Sequence, residues 1–378
     1  MKRNILAPRP NWQNKLEKSG FLFHTPDGEP YWNESACYEL TQQEAQTIED
    51  ATNSLIEICH SAAETVIDRD WFERLGINSL EADLIQQSWD LDHLSVYGRF
   101  DLSWDFKSPP KMLEFNADTP TSLFEAAVIQ WQWLDDVYPR YDQFNSIHER
   151  LIKRWSQIAD KHQTLYFASL MNHADDITQT EYLRDTAHQA GFKTEFTFIE
   201  DVGYDSSRMA FVDLESNAIA QCFKLYPWEW LSKEQFGKYI NLRSVKFIEP
   251  AWKRILSSKA FLPILWELNP GHPNLLPSFF ERPTSGKYVE KPFLSREGNQ
   301  IKIWENGHQQ VATTGFSEDP RSIFQAYHEL PSFDGKYPVL GSWIVGEESA
   351  GLGIREDSTV ITQSTSQFTP HFLSSRRK

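Results

Sequence analysis

The sequence predicts a mixed α/β (α+β) chain of more than one lobe, and three patterns carry that expectation. Residues 98–123, GRFDLSWDFKSPPKMLEFNADTPTSL, alternate polar and apolar side chains at strand period on either side of a turn-like break. Thr41-Gln42-Gln43-Glu44 is a capping box that opens a helical pattern. From about residue 145, apolar runs alternate with helical stretches at the spacing of a small parallel α/β lobe.

At 378 residues the chain is long enough for two or three lobes with real cores. Its formal net charge of -16 argues against nucleic acid, since no basic stripe is available to replace counterions on a phosphate backbone. A cationic small molecule is attracted instead. The 14 Trp argue for dense cores or stacking pockets. Cys37, Cys59 and Cys222 are odd in number and widely spread, which gives neither a disulfide framework nor metal-type spacing, so each is expected as a small buried residue. The opening MKRNILAP has too short an apolar run for a signal peptide, and no window approaches the ~20 apolar residues of a membrane span. The expectation is a soluble cytoplasmic protein with no membrane partner.

In chain order, the first 40 residues carry Pro8, Pro10, Pro30 and the turn Pro26-Asp27-Gly28 between aromatic pairs, as in a hairpin or wrapped arm. The helix opened at Thr41 runs through Leu55, Ile58 and Val66, and a second helical stretch covers Ser79 to Trp89. In the hairpin, Phe100, Leu102 and Trp104 alternate with Arg99, Asp101 and Ser103, and Leu113 and Phe115 alternate with Glu114 and Asn116. Folding at Lys107-Ser108-Pro109-Pro110 brings Asp101 opposite Glu114 or Asn116. Two carboxylates and an amide, with no His or Cys nearby, form the all-oxygen set that a hard cation such as Mg2+ prefers, with positions left for phosphate oxygens. Arg99 and Asp118 lie in the same span. The rival is an amphipathic hairpin whose acids merely face water. Phe124 to Trp133 reads as a buried helix just beyond Asp118-Thr119-Pro120-Thr121, with N-terminal amides turned toward an anion.

Beyond residue 145 the expected order is a helix from His148 to Ile158, a strand over Leu165–Leu170, a helix from Thr180 to Ala190, and strands at Glu195–Ile199, Met209–Leu214 and Ile219–Tyr226. No G-x-G-x-x-G follows the first strand, so no dinucleotide site is expected. Lys259 precedes the apolar segment Phe261–Trp266; Tyr288-Val289-Glu290-Lys291-Pro292 is a short strand ending on Lys291; and Ile301–Trp304 is its return strand. A Lys beside the Gly-containing loop Ser295–Gln300 suits a phosphate clamp and lid. Ile323 to Leu330 offers an edge for an adenine, and Trp343 to Arg355 reads as strand, small-residue turn and strand, its glycines serving the turn. The tail Ser374–Lys378 is expected to be disordered.

RFD from Arg99, EFNAD from Glu114, KAFLPILWEL from Lys259, EKP from Glu290 and AGLGIR from Ala350 together resemble the synthetase domain of the glutathionylspermidine synthetase family, including its stand-alone acid–amine ligase members. The resemblance spans nearly the whole chain and leaves no room for the amidase domain that bifunctional members carry in front. It implies an ATP-grasp fold with an inserted α/β (pre-ATP-grasp) lobe: residues 1–145 a helical region plus metal-binding hairpin, 146–245 the inserted lobe, and 246–378 the nucleotide-binding region. By motif match, Asp101, Glu114 and Asn116 would hold two Mg2+ ions, and Arg99 would stabilise the transferring phosphoryl group. Arg99, Phe100 and Asp101 would border the nucleotide. Lys259 and Lys291 would hold ATP phosphates, Gly298 and Asn299 would lie in the lid loop, and Gln325, Ala326, Tyr327 and His328 would flank the adenine. Arg355 matches an Arg near the nucleotide, and Thr119 and Thr121 fall where relatives present hydroxyls to the acid substrate. The implied reaction is ATP-dependent joining of a small carboxylic acid to a cationic amine through an acyl phosphate. An ATPase or carboxylate kinase that uses no amine, and a non-catalytic polyamine- or glycan-binding protein, are the alternatives. After EKP this chain reads FLSREGNQI, where bifunctional members have a smaller, more Gly-rich loop, and Val339 stands where they have Gln.

Overall fold

Thr41 caps a 27-residue helix, Gln42–Asp68, through both halves of its capping box: the Glu44 N–H donates to Thr41 Oγ1 at 3.2 Å, and the Thr41 N–H donates to Glu44 Oε2 at 2.7 Å. Its apolar stripe, including Leu55, Cys59 and Val66, is buried, and Ile58 is half-buried at its margin. Behind the stripe lies an antiparallel sheet, which Thr52 reaches by a 2.6 Å hydrogen bond to Ser342. The computed structural model describes residues 1–317 and 319–376.

That sheet has five strands in the order Gln367–Phe368, Glu348–Asp357, Tyr337–Val345, Tyr97–Ser103, Lys111–Asn116. The hairpin foreseen around Lys107–Pro110 therefore forms one side of it, and Tyr337–Val345 pairs with the hairpin's first strand. Gly346, at φ 67°, makes the turn after Val345. Gly351 and Gly353 instead sit inside the next strand, where a Cβ would meet Ile147 and Phe368 at 3.0 Å. The expectation that the glycines of this segment serve the turn holds for Gly346 alone among these three, because Ile147 from the helix packed on the sheet and Phe368 from the adjoining strand leave no room for a larger side chain at the other two.

A second antiparallel sheet runs Ser278–Phe279, Ser322–Ala326, Lys287–Pro292, Lys302–Glu305, His308–Ala312. The strand ending on Lys291 and its return strand are paired as expected. Between the two sheets runs the connection through helices Lys253–Ser257 and Phe261–Leu268, which places Lys259 in the break between them.

The predicted parallel lobe is present as four strands in the order Lys246–Ile248, Gln221–Lys224, Leu165–Ser169, Thr194–Phe198, all parallel, with helices Ile147–Ile158 and Ala174–Gln189 packed on it. The Met209–Leu214 stretch does not join that sheet. Its strand, Ala210–Val212, pairs antiparallel with Gly203–Asp205 as a separate two-stranded ribbon, and Lys246–Ile248 takes the fourth place. The ends of the chain meet in a further sheet, Lys2–Ile5, Ala36–Leu40, His371–Arg376, Tyr141–Asp142. Ser374, Ser375 and Arg376 are thus part of a strand rather than a disordered tail, because they continue His371–Leu373, which pairs with Tyr38–Leu40, and Arg376 pairs with Tyr141 across an irregularity. Arg377 and Lys378 lie outside the described residues.

Trp32, Trp133, Trp155, Trp228 and Trp343 are all fully buried, so these indoles build cores. All three cysteines are buried and free, and burial pushes the Cys37 and Cys222 thiols up to about 12, which makes them packing residues. Among the described residues no helix is long and apolar enough to cross a membrane.

Candidate active site

Strand alternation sets the first layer of the site. Along Tyr97–Ser103, Phe100 and Leu102 turn into the core while Arg99 and Asp101 turn to the opposite face, and Asp101 pairs with Glu114 and Arg99 with Asn116 across the hairpin. Of the two pairings open to the sequence, the register selects Asp101 opposite Glu114. The Asn116 amide then bridges both carboxylates, donating to Asp101 Oδ2 at 3.1 Å and Glu114 Oε1 at 3.3 Å.

Three cations close on this pair. Arg99 forks onto Asp101, Nε to Oδ1 at 2.6 Å and Nη2 to Oδ2 at 3.1 Å, and its Nη1 donates to the Thr121 carbonyl at 2.5 Å. Lys259 Nζ lies 3.1 Å from Glu114 Oε2 and donates to the Ser295 carbonyl at 2.6 Å. Lys291 is almost fully buried, donating to the Leu113 carbonyl at 2.8 Å and Gln325 Oε1 at 2.7 Å. Burial pushes the Lys291 ammonium down to about 8, against the pull of Glu114. Burial alone would raise Glu114, but Lys259 and Lys291 overcome it and hold that carboxyl down at about 2. Asp101 is raised by burial despite Arg99.

These residues line two cavities that meet at Asp101, Glu114, Lys259, Gly298 and Thr362. One is strongly charged and adds Arg99, Asn116, Thr119, Thr121, Glu229, Arg296 and Arg355. The other is mostly apolar, walled by Val289, Ile301, Ile303, Val339 and Ile361, and is also lined by Lys291, Gln325, Ala326, Tyr327 and His328. Arg355 is aimed by backbone carbonyls: its Nε donates to Ser366 at 3.0 Å and its Nη2 to Gln363 at 2.6 Å. A third recess continues from the charged cavity past Thr121, Glu297 and Arg355 to Phe21, Phe23, Tyr31 and Glu125.

Most residues singled out in the sequence are therefore brought together, but Phe100 and Asn299 are not. Phe100 is fully buried, its ring 4.1 Å from that of Phe115, because the alternation that turns Arg99 and Asp101 to the cavity turns Phe100 away. Asn299 borders neither cavity and packs against Gly315. Asp118 lines the charged cavity, but its carboxylate is held in a buried ion pair, Oδ1 to Lys224 Nζ at 2.9 Å, and accepts the Trp228 N–H at 2.9 Å. The turn after Thr121 is also not an open set of amides. The Leu123 N–H donates to Gln179, and the buried Glu125 carboxylate, bonded by the Tyr31 hydroxyl at 2.8 Å, occupies the start of the helical segment.

The structure adds Glu229, Arg296, Tyr31 and Glu125 to the cavity walls, residues that the sequence reading gave no role. Arg296 was within reach as the one cation in the lid loop. Glu229 lay hidden in the aromatic run Trp228-Glu229-Trp230.

An apolar slot beside lysines, opening onto a carboxylate cluster between two antiparallel sheets and a parallel lobe, is the frame of an ATP-grasp-type protein. The fold agrees with a solved glutathione synthetase-like effector from Globodera pallida, which superposes with a TM-score of 0.58 over 89% of each chain at 11% identity. The chain belongs to the glutathionylspermidine synthase family, whose "Glutathionylspermidine synthase preATP-grasp" profile matches residues 3–374. It is 41% identical over 392 aligned positions to a Haemophilus influenzae protein named "Putative acid--amine ligase", covering 99% of this chain and all of that one. It is 26% identical to the Escherichia coli bifunctional glutathionylspermidine synthetase/amidase over 88% of this chain and 58% of that enzyme. The family is one of synthetases, and these named relatives are ligases.

Proposed function

We propose that the chain joins a small carboxylic acid to an amine through an acyl phosphate formed from ATP. The observation that carries this reading is the meeting of an apolar slot and a charged cavity at Asp101, Glu114 and Lys259. A purine fits the first, a triphosphate chain crosses the junction, and a carboxylate in the second faces the γ-phosphate. Gln325, Ala326, Tyr327 and His328 flank the base, and Lys291 and Lys259 take phosphate oxygens.

Asp101 and Glu114 face each other on the hairpin with Asn116 beside them, a set suited to hard cations once the Asn116 amide turns its oxygen inward, and would hold two Mg2+ ions. Magnesium would supply charge neutralisation on the phosphates. The chain's own part is position and charge. Thr119 and Thr121 orient the acid, and its carboxylate oxygen attacks the γ-phosphorus as the bond to ADP breaks. Arg99 neutralises the equatorial oxygens of the moving phosphoryl group, and Arg355 flanks it from Glu348–Asp357, two strands away in the same sheet. The amine nitrogen then bonds to the acyl carbon, inorganic phosphate leaves, and the nitrogen gives up a proton. The lid carrying Gly298 and Asn299 keeps water from the acyl phosphate. The recess with Tyr31 and Glu125, on a chain of net charge -16, supports a cationic amine.

The test is product mass after incubation with Mg-ATP, an acid and an amine, screened with ADP release, glutathione with spermidine among the pairs. An adduct lighter by one water than acid plus amine is expected. Arg99→Ala and Glu114→Ala should each lower amine-dependent turnover on the order of 10²- to 10³-fold with the fold retained. Phosphate release that never yields an adduct would replace the ligase with an ATPase or kinase, and ligand binding indifferent to Mg-ATP would replace it with a binding protein.

A further inference from the structure

The lid loop is tied to the parallel lobe through a chain of buried charges that none of the reaction steps above uses. Glu229, in the short helix Trp228–Leu231, has a side chain only 3% exposed, yet it lines the charged cavity. Its Oε1 accepts from Arg296 Nη2, while its Oε2 lies 3.7 Å from Arg254 Nε. Arg254, itself buried, has Glu81 Oε1 at 3.3 Å from the same Nε. The order Glu81, Arg254, Glu229, Arg296 alternates in sign and is buried except at Arg296, whose side chain is 39% exposed and lies over Trp230 at 4.8 Å. The neighbouring lid residue Ser295 is bound through its carbonyl to Lys259.

An unpaired carboxylate at this depth is strongly disfavoured, so Glu229 has reason to keep a cation at the cavity wall. Arg254 is committed to two carboxylates. Arg296 is the exposed partner, and its planar fork has further donors for a phosphate oxygen.

We propose that Glu229 is a positioning residue: it holds Arg296, and with it the loop Leu294–Gln300, over the phosphate end of the cavity before nucleotide arrives. This rests on the nucleotide reading of the cavity. It goes beyond that reading by making a residue of the parallel lobe responsible for lid geometry.

The experiment uses the full chain with Mg-ATP alone as probe, and measures the affinity of Glu229→Gln, Arg296→Ala, the double variant and Glu81→Gln, together with hydrogen exchange of residues 294–300 without nucleotide. Glu229→Gln and Arg296→Ala should each weaken Mg-ATP binding about tenfold, the double variant no more than Arg296→Ala alone, and Arg296→Lys should recover part of the loss. Glu81→Gln, which disturbs the same charge chain without touching Arg296, should bind within about twofold of the parent. Loop exchange should quicken in Glu229→Gln and not in Glu81→Gln. Unchanged affinity and exchange in Glu229→Gln, or equal losses in Glu229→Gln and Glu81→Gln, overturn the proposal. If Glu229→Gln does not fold, Arg296→Ala decides by the same two readings. A parent chain that binds no Mg-ATP would defeat the nucleotide reading, while the exchange comparison would still judge the tether.

Discussion

Lys291 is an ammonium held in a place that disfavours it. Burial brings it to about 8, so in the nucleotide-free protein it is charged at neutral pH and loses its proton as pH rises through that value. Because kcat/KM reports groups of the free enzyme, kcat/KM for Mg-ATP should fall on an alkaline limb near pH 8. Bound phosphates favour the charged form, so the limb in kcat should lie higher. Lys291→Arg removes the titration, and a pH profile of that variant should lack the limb; a limb that persists assigns it to another group. Glu114 shows the converse. Its carboxyl, held near 2 by Lys259 and Lys291, stays ionised through the working range, so no acid limb above pH 4 should trace to it. Neither value is legible in sequence, because each depends on partners 145 or more residues away.

At the scale of elements, the lid and the long helix invite opposite tests. Gly298 has φ 68°, and a Cβ there would run into the Thr362 carbonyl. Gly298→Ala should therefore displace the loop and raise KM for Mg-ATP several-fold, with little change in denaturation midpoint, as initial rates and unfolding curves would show. Thr41→Ala removes the hydroxyl that accepts the Glu44 N–H, and should lower stability by about 1 kcal/mol while leaving kcat/KM unchanged. That capping box could be read directly, since its donors and acceptors lie within four residues. The glycine's role could not, because residues 298 and 362 are neighbours only in space.

Over the whole molecule, the hairpin's first strand, from the first third of the chain, pairs with Tyr337–Val345 from the last, and the lobe between them is joined to the hairpin's exit by the Asp118–Lys224 pair. Lys224→Met would strand a buried carboxylate, and should cost about 3–5 kcal/mol in denaturant unfolding, whereas a small loss would mean that Asp118 is protonated or hydrated in the variant. What local pattern determines, the sequence displayed: strand alternation put Arg99, Asp101, Glu114 and Asn116 on one face, helical period gave Gln42–Asp68, and alternating strand and helix gave the parallel lobe. Alternation also assigned Phe100 to the core, where the motif match alone drew it to the nucleotide. Only the tertiary structure decided that Asp101 faces Glu114, that Asp118 turns to Lys224, that the C-terminal strand is ordered, and that Glu229 meets Arg296. The physical reason is that side-chain periodicity is a property of consecutive residues, while a buried charge is placed by whichever distant partner can neutralise it.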